Sequence, residues 1–306
     1  MRFRWREPVR VGTMRPAVPG QHQLVPRRTT SSDGTSLCYY VGGAADAPAL
    51  LLVGGPLAPS GVWRSLLAYL GRRLRFVTWD GRGLFGSTPP RRTAGGYAMP
   101  LQVSDLHAVL GALGDKRIAL LGFSFGVQLA LEAYRELGDR VACMVLMSGS
   151  AGRPLEALGG LPGTGKPLRR ALDWARHANG RLAQPLPRAV TGALVSLLAG
   201  PTLASDVRQD LVDALSAVPA SALLDTLSTY AEHDASRSLD SVRAPTLIVT
   251  GERDPLAPPE IMQQVARHIP RSEILVVPRA HHLVFAEYPD LVNLRLERFF
   301  EDVGWC

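Results

Sequence analysis

Short apolar runs alternate with longer stretches of helical periodicity through most of this chain, and that alternation leaves few folds open. The runs fall at 50–53, 76–79, 118–121, 141–147, 247–250 and 274–277, and they are mostly leucine or β-branched. Strands that are apolar without a polar alternate are buried on both faces, as in a parallel sheet covered by helices. Between them, 101–114 places Leu101, Leu106, Val109, Leu110 and Leu113 at helical spacing, and 127–137 does the same with Val127, Leu131, Tyr134 and Leu137. Strand and helix in alternation predict an α/β fold: a mostly parallel central sheet, flanked by helices and joined by right-handed crossovers.

The rhythm breaks between about 152 and 236. No strand-like run occurs there, and the spacing predicts four helices, over 166–178, 187–199, 205–218 and 221–232. Both flanks continue the same sheet pattern, so the stretch reads as a helical cap inserted over the carboxyl edge of the sheet, where open α/β folds carry their sites. The chain then divides into a core of 29–151 and 237–306, a cap of 152–236, and residues 1–28, which hold four prolines and little periodicity and read as a flexible tail.

Charge sharpens this division. The net charge is +7, but seven arginines against the single acid Glu7 put six of those charges in residues 1–28. The remainder is nearly neutral and has no overall excess of the kind that draws proteins to nucleic acid. No apolar run approaches the roughly 18 residues of a membrane span, and residues 1–10 lack the apolar stretch of a secretory signal. Three widely spaced cysteines, Cys38, Cys143 and Cys306, fit neither a disulfide framework nor a zinc site. A reducing cytoplasm is the expected location. With no G-x-G-x-x-G after the first strand, no P-loop and no metal-ligand cluster, no cofactor or metal is expected.

The sharpest local signal is Leu120-Leu121-Gly122-Phe123-Ser124-Phe125-Gly126-Val127, a strand running into G-x-S-x-G and then an apolar helix. On a tight strand-to-helix turn, the Ser124 hydroxyl projects from the sheet edge while small residues two positions either side let helix and strand approach. The Phe125 N–H then opens the helix and is aimed at a reacting oxygen. A serine hydroxyl is a weak nucleophile without a base and an orienting carboxylate. Both are expected later, in the order Ser, Asp, His. The run ending at Thr250 leads into Gly251-Glu252-Arg253-Asp254-Pro255, and the run ending at Val277 leads into Pro278-Arg279-Ala280-His281-His282. Asp254 is read as the acid, with Glu252 its rival; His281 and His282 compete for the base.

These segments resemble the capped α/β-hydrolases. Thr250-Gly251-Glu252-Arg253-Asp254-Pro255 looks like their acid loop, and His282-Leu283-Val284-Phe285-Ala286-Glu287-Tyr288-Pro289 like their histidine loop, whose proline seven positions on selects His282. Asp80-Gly81-Arg82-Gly83-Leu84-Phe85-Gly86-Ser87 resembles their D-x-R-G-x-G-x-S loop but carries Phe85 where glycine is usual. The resemblance covers about 30–306 and implies an α/β-hydrolase fold with Ser124, Asp254 and His282 as the catalytic set. Epoxide hydrolases and dehalogenases of the superfamily carry aspartate at the position of Ser124, so they fit less well.

The superfamily usually supplies its second oxyanion donor from a histidine-glycine-x loop after the strand that matches 49–53. Here that loop is Val53-Gly54-Gly55-Pro56-Leu57, without histidine. In one register the donor slot falls on Pro56, which has no N–H; in the other it falls on Gly55. Losing one such donor costs roughly 10²–10³ in turnover, so Gly55 joins Phe125 as the expected pair. Leu57, Phe123 and Phe285 flank the expected site and suggest an apolar pocket. The expected function is hydrolysis of an ester, thioester or lactone of a small, largely apolar molecule through an acyl-enzyme on Ser124. The alternatives are carbon–carbon hydrolysis, acyl transfer or a lyase step with the same residues, and a non-catalytic small-molecule receptor. Neither nucleic acid nor membrane is an expected partner, and the sequence leaves the oligomeric state open.

Overall fold

The computed structural model describes residues 23–91, 95–154 and 184–306. Eight strands form one sheet: β1 (Val25–Thr30), β2 (Ser36–Gly43), β3 (Ala49–Val53), β4 (Arg75–Trp79), β5 (Ile118–Phe123), β6 (Val141–Met147), β7 (Thr246–Gly251) and β8 (Ser272–Val277). Their order is β1-β2-β4-β3-β5-β6-β7-β8. β1 pairs antiparallel with β2 and β2 with β4, and every later pairing is parallel. The six apolar runs are the six parallel strands, and β3, β5 and β7 are buried at every position.

Burial on both faces follows from the pleat, which sends alternate side chains to opposite sides. Leu51, Val53, Leu120, Met144, Leu146 and Ile248 pack on one face with α2 (Met99–Leu113), α3 (Phe125–Leu137) and α7 (Pro259–His268). Leu50, Leu52, Leu121, Phe123, Val145 and Val249 pack on the other with α1 (Arg64–Leu70) and α9 (Pro289–Asp302). A four-residue helix, α8 (Val284–Glu287), precedes α9.

The first strand corrects the expected tail. Residues 25–28 lie in β1, which pairs with β2 from Val25↔Val41 to Thr30↔Ser36. Its sequence, VPRRTT, is exposed at all positions but one, so it has no apolar run to announce it. Backbone pairing at the edge of the sheet holds it there, where a proline is tolerated.

Between β6 and β7 the described chain carries α4 (Arg188–Leu198), α5 (Ser205–Leu215) and α6 (Ala220–Glu232). The expected helix over 166–178 lies outside the described residues. This helical insertion rests on loops at the carboxyl ends of the parallel strands. Val218, Ala222 and Leu223 cluster with Leu84 and Tyr97, and Leu57 and Phe85 pack alongside. The Tyr230 ring meets Phe125 edge-on at 5.5 Å. His233 bonds Glu132 of α3 at 2.9 Å, the structural role its position at the junction suggests.

Candidate active site

Ser124 sits between β5 and α3 with φ 56° and ψ −120°. This is a sparsely populated region for a residue with a Cβ, held by the surrounding structure. The flanking glycines explain how the turn closes. A Cβ on Gly126 would collide with the Val53 carbonyl, and one on Gly122 would strike the Gly126 carbonyl. Any larger residue would push α3 off β3 and β5.

His282 Nε2 lies 2.9 Å from Ser124 Oγ. His282 Nδ1 lies 3.0 and 2.9 Å from the two oxygens of Asp254. The Asp254 Oδ1 also accepts the N–H groups of Leu256 and Ala257, each at 2.9 Å. Burial opposes the charge of this carboxylate. The adjacent imidazole and the two loop N–H groups overcome that, and its pKa lies below the ordinary value. Three side chains from widely separated positions thus form one hydrogen-bonded line at the sheet edge, with acid and base almost fully enclosed.

The competing candidates lie elsewhere. Glu252 accepts the Arg279 N–H at 2.7 Å and braces the histidine loop. His281 is turned from Ser124 toward Glu287.

On the other side of Ser124, Gly55 packs against the start of α3. A Cβ there would stand 2.8 Å from Phe125 Cβ and 3.5 Å from Phe125 N. Its carbonyl is engaged by the Ala58 N–H at 3.0 Å. Among the described residues, neither the Gly55 nor the Phe125 N–H donates to a protein acceptor. Gly55 thus lies against the residue that follows Ser124.

The pocket expectation needs correcting for two residues. Phe123 is 0% and Phe285 4% exposed. Phe123 lies under the imidazole, 5.1 Å from the His282 ring and 4.9 Å from Phe285, which stacks on Trp63 at 4.8 Å. As the last residue of β5, Phe123 follows the pleat to the α1/α9 face. Phe123 thus packs against the base, and both rings are closed to solvent. Leu57 is half-buried between this core and the insertion.

The sequence reading missed two neighbours of the base. The Leu198 carbonyl, at the end of α4, accepts the His282 N–H at 3.0 Å. The Glu287 carboxylate accepts the His281 N–H at 3.2 Å. A single acid directly after the apolar stretch 283–286 was the available signal for Glu287; nothing marked Leu198, which contributes only backbone.

Comparison with known proteins assigns the fold to a family. A family model described as the alpha/beta hydrolase fold matches residues 48–289. The chain belongs to that family. It is 26% identical to the serine hydrolase BPHL of Mus musculus over 231 residues, covering 75% of this chain and 70% of that protein. It is 25% identical to a proline iminopeptidase of Pestalotiopsis fici over 287 residues, covering 88% and 97%. Its structure superposes on a thermophilic esterase from Thermogutta terrifontis with a TM-score of 0.75 at 25% identity, over 92% of this chain and 99% of that one. The protein is accordingly an enzyme of the hydrolase class. Among the described residues, no helix is long and apolar enough to cross a membrane.

Proposed function

We propose that the protein is a serine hydrolase that opens an ester, thioester or lactone of a small, largely apolar substrate through an acyl-enzyme on Ser124. The observation that carries this reading is the unbroken line from Ser124 Oγ through His282 to Asp254, set on a strained turn. In the proposed cycle His282 Nε2 takes the Ser124 proton as Oγ bonds to the substrate carbonyl carbon. The carbonyl oxygen gains negative charge between the Phe125 and Gly55 N–H groups, where fixed dipoles stabilise it. The imidazolium, stabilised and oriented by Asp254, passes its proton to the leaving oxygen or sulfur as that bond breaks. Water, deprotonated by His282, then attacks the acyl carbon; acid leaves and Ser124 regains its proton.

We read residues 152–236 as a cap that limits substrate size, on the strength of its packing against Leu84, Tyr97 and Phe125. Half-buried Leu57 between cap and core supports an apolar substrate. Three unpaired cysteines support a reducing, cytoplasmic setting.

The test is a panel of p-nitrophenyl esters of increasing acyl length, with Ser124→Ala as control and a fluorophosphonate as label. The reading requires turnover and labelling in the wild type and neither in the variant. Equal turnover in Ser124→Ala would reject it. Capture of the acyl group by an added alcohol, in place of water, would instead make the enzyme an acyl transferase.

A further inference from the structure

The residue before the base is held as tightly as the base itself. Glu287, on the short helix α8, has a side chain with no solvent exposure. A buried carboxylate is tolerated only where donors satisfy it. Here both oxygens lie 3.2 Å from the His281 N–H. Oε2 also lies 3.3 Å from His281 Nδ1 and accepts the Thr202 hydroxyl at 3.3 Å.

Thr202 belongs to the helical insertion. So does Leu198, whose carbonyl is one of the orphan acceptors that end a helix and takes the His282 N–H at 3.0 Å. Between them stands Gly200, where a Cβ would collide with both the His281 imidazole and the Glu287 carboxylate. Arg208 of α5 donates to the Gly200 carbonyl at 2.8 Å and ties this segment to the next helix. Two consecutive backbone N–H groups, of His281 and His282, are thus held by one buried carboxylate and by one carbonyl of the insertion.

We propose that Glu287, together with His281, is a positioning pair that clasps residues 198–202 of the insertion to the loop carrying His282, so that seating of the insertion sets where the base stands. The catalytic part of this proposal rests on the serine-hydrolase reading. Its physical basis is short leverage. The imidazole hangs from the backbone that the clasp fixes, and Nε2 must meet Ser124 Oγ within hydrogen-bond reach. A misplacement of about 1 Å in such an arrangement costs on the order of 10²-fold. Release of residues 198–202 would free the His282 N–H and remove the Thr202 hydroxyl from the Glu287 carboxylate together. The insertion would then govern the rate of the bond-making step as well as the size of substrate admitted.

The test combines kinetics with amide hydrogen exchange followed by mass spectrometry, using p-nitrophenyl butyrate as substrate. Glu287→Ala is expected to lower kcat by about 10²-fold with KM little changed. Glu287→Gln retains an acceptor for the His281 N–H and is expected to restore most of the rate. In Glu287→Ala, exchange should quicken jointly in residues 198–202 and 278–284, while the segment carrying Ser124 stays as in the wild type. Thr202→Val attacks the clasp from the insertion side. It should show the same joint change more weakly, and it decides the matter if Glu287→Ala does not fold.

An unchanged kcat in Glu287→Ala overturns the proposal. So does faster exchange in the histidine loop alone, with residues 198–202 still protected. If the wild type does not turn over the ester, the serine-hydrolase reading fails instead. The exchange measurements then judge the clasp on their own.

Discussion

Two loops at the carboxyl ends of parallel strands each bury an aspartate, and they treat its charge in opposite ways. Asp254 follows β7 and Asp80 follows β4; they are 3% and 2% exposed. Burial opposes ionisation in both. Around Asp254 an imidazole and two loop N–H groups converge, and the pKa falls below the ordinary value. Asp80 receives the Tyr40 phenol at 2.8 Å and the Gly86 N–H at 2.9 Å, and burial wins, pushing its pKa up to about 6. The cation in its own loop is directed elsewhere. Arg82 donates to Asp105 at 2.8 and 2.6 Å, to Asp33 at 2.8 Å and to the Gly96 carbonyl at 2.6 Å. An acid at a strand end keeps its charge only where an adjacent base and donors together outweigh burial; at Asp80 two donors without a base do not, and the acid is weak.

The largest effect that would break this contrast is catalytic. Asp254→Asn keeps the shape of the side chain but offers Nδ1 of His282 an amide in place of a charged acceptor. The imidazole then loses its fixed tautomer, and kcat is expected to fall by about 10⁴-fold. Asp80→Asn, in the same ester assay, should leave kcat near the wild-type value. A comparable loss in both variants would mean that the two carboxylates do not differ in role.

The next effect is on stability and sharpens the account of the β4 loop. Arg82→Met leaves Asp105, itself almost fully buried, without its cation. Breaking one side of such a pair is expected to cost about 3–5 kcal/mol, read from urea unfolding at neutral pH. The double variant Arg82→Met with Asp105→Leu should recover much of that loss. Recovery from Asp80→Asn in its place would assign the guanidinium to the wrong partner.

The same loops show what the sequence could and could not reveal. Ser124, Asp254 and His282 were legible because each is a chemically distinctive side chain at the end of a recognisable strand. Gly122 and Gly126 were legible because only glycine clears the Val53 and Gly126 carbonyls. Phe85 stood out as a departure, and the structure gives the reason that glycine is usual there: its φ is 47°, in the left-handed region. The strain is offset by packing of Phe85 between the core and the insertion. Interactions made through backbone left no trace in residue types, and so Leu198 went unseen. Phe123 and Phe285 were misplaced because nearness in sequence to Ser124 and His282 does not say whether a ring is open to solvent or packed in the core. Strand β1 escaped because an exposed edge strand needs no apolar pattern.

The smallest effect concerns Asp80 itself, and its sign separates it from Asp254 once more. A carboxyl whose folded pKa is raised to about 6 binds its proton more tightly in the native state than in the unfolded chain. Its ionisation therefore weighs against folding. That penalty is absent below the ordinary carboxylate value near 4, grows as pH rises toward about 6, and is constant above. Asp254, with a lowered folded pKa, contributes stability above the ordinary carboxylate value and loses it as pH falls through the folded one. Asp80→Asn retains an acceptor for the Tyr40 hydroxyl and the Gly86 N–H but removes the charge. It is expected to stabilise the protein by up to about 3 kcal/mol at pH 8 and to have little effect at pH 4. Urea unfolding of wild type and variant across that range measures the difference, which should grow between pH 4 and 6 and then level off. A gain independent of pH would mean that the amide acts through packing; a loss at pH 8 would mean that the loop needs the charge.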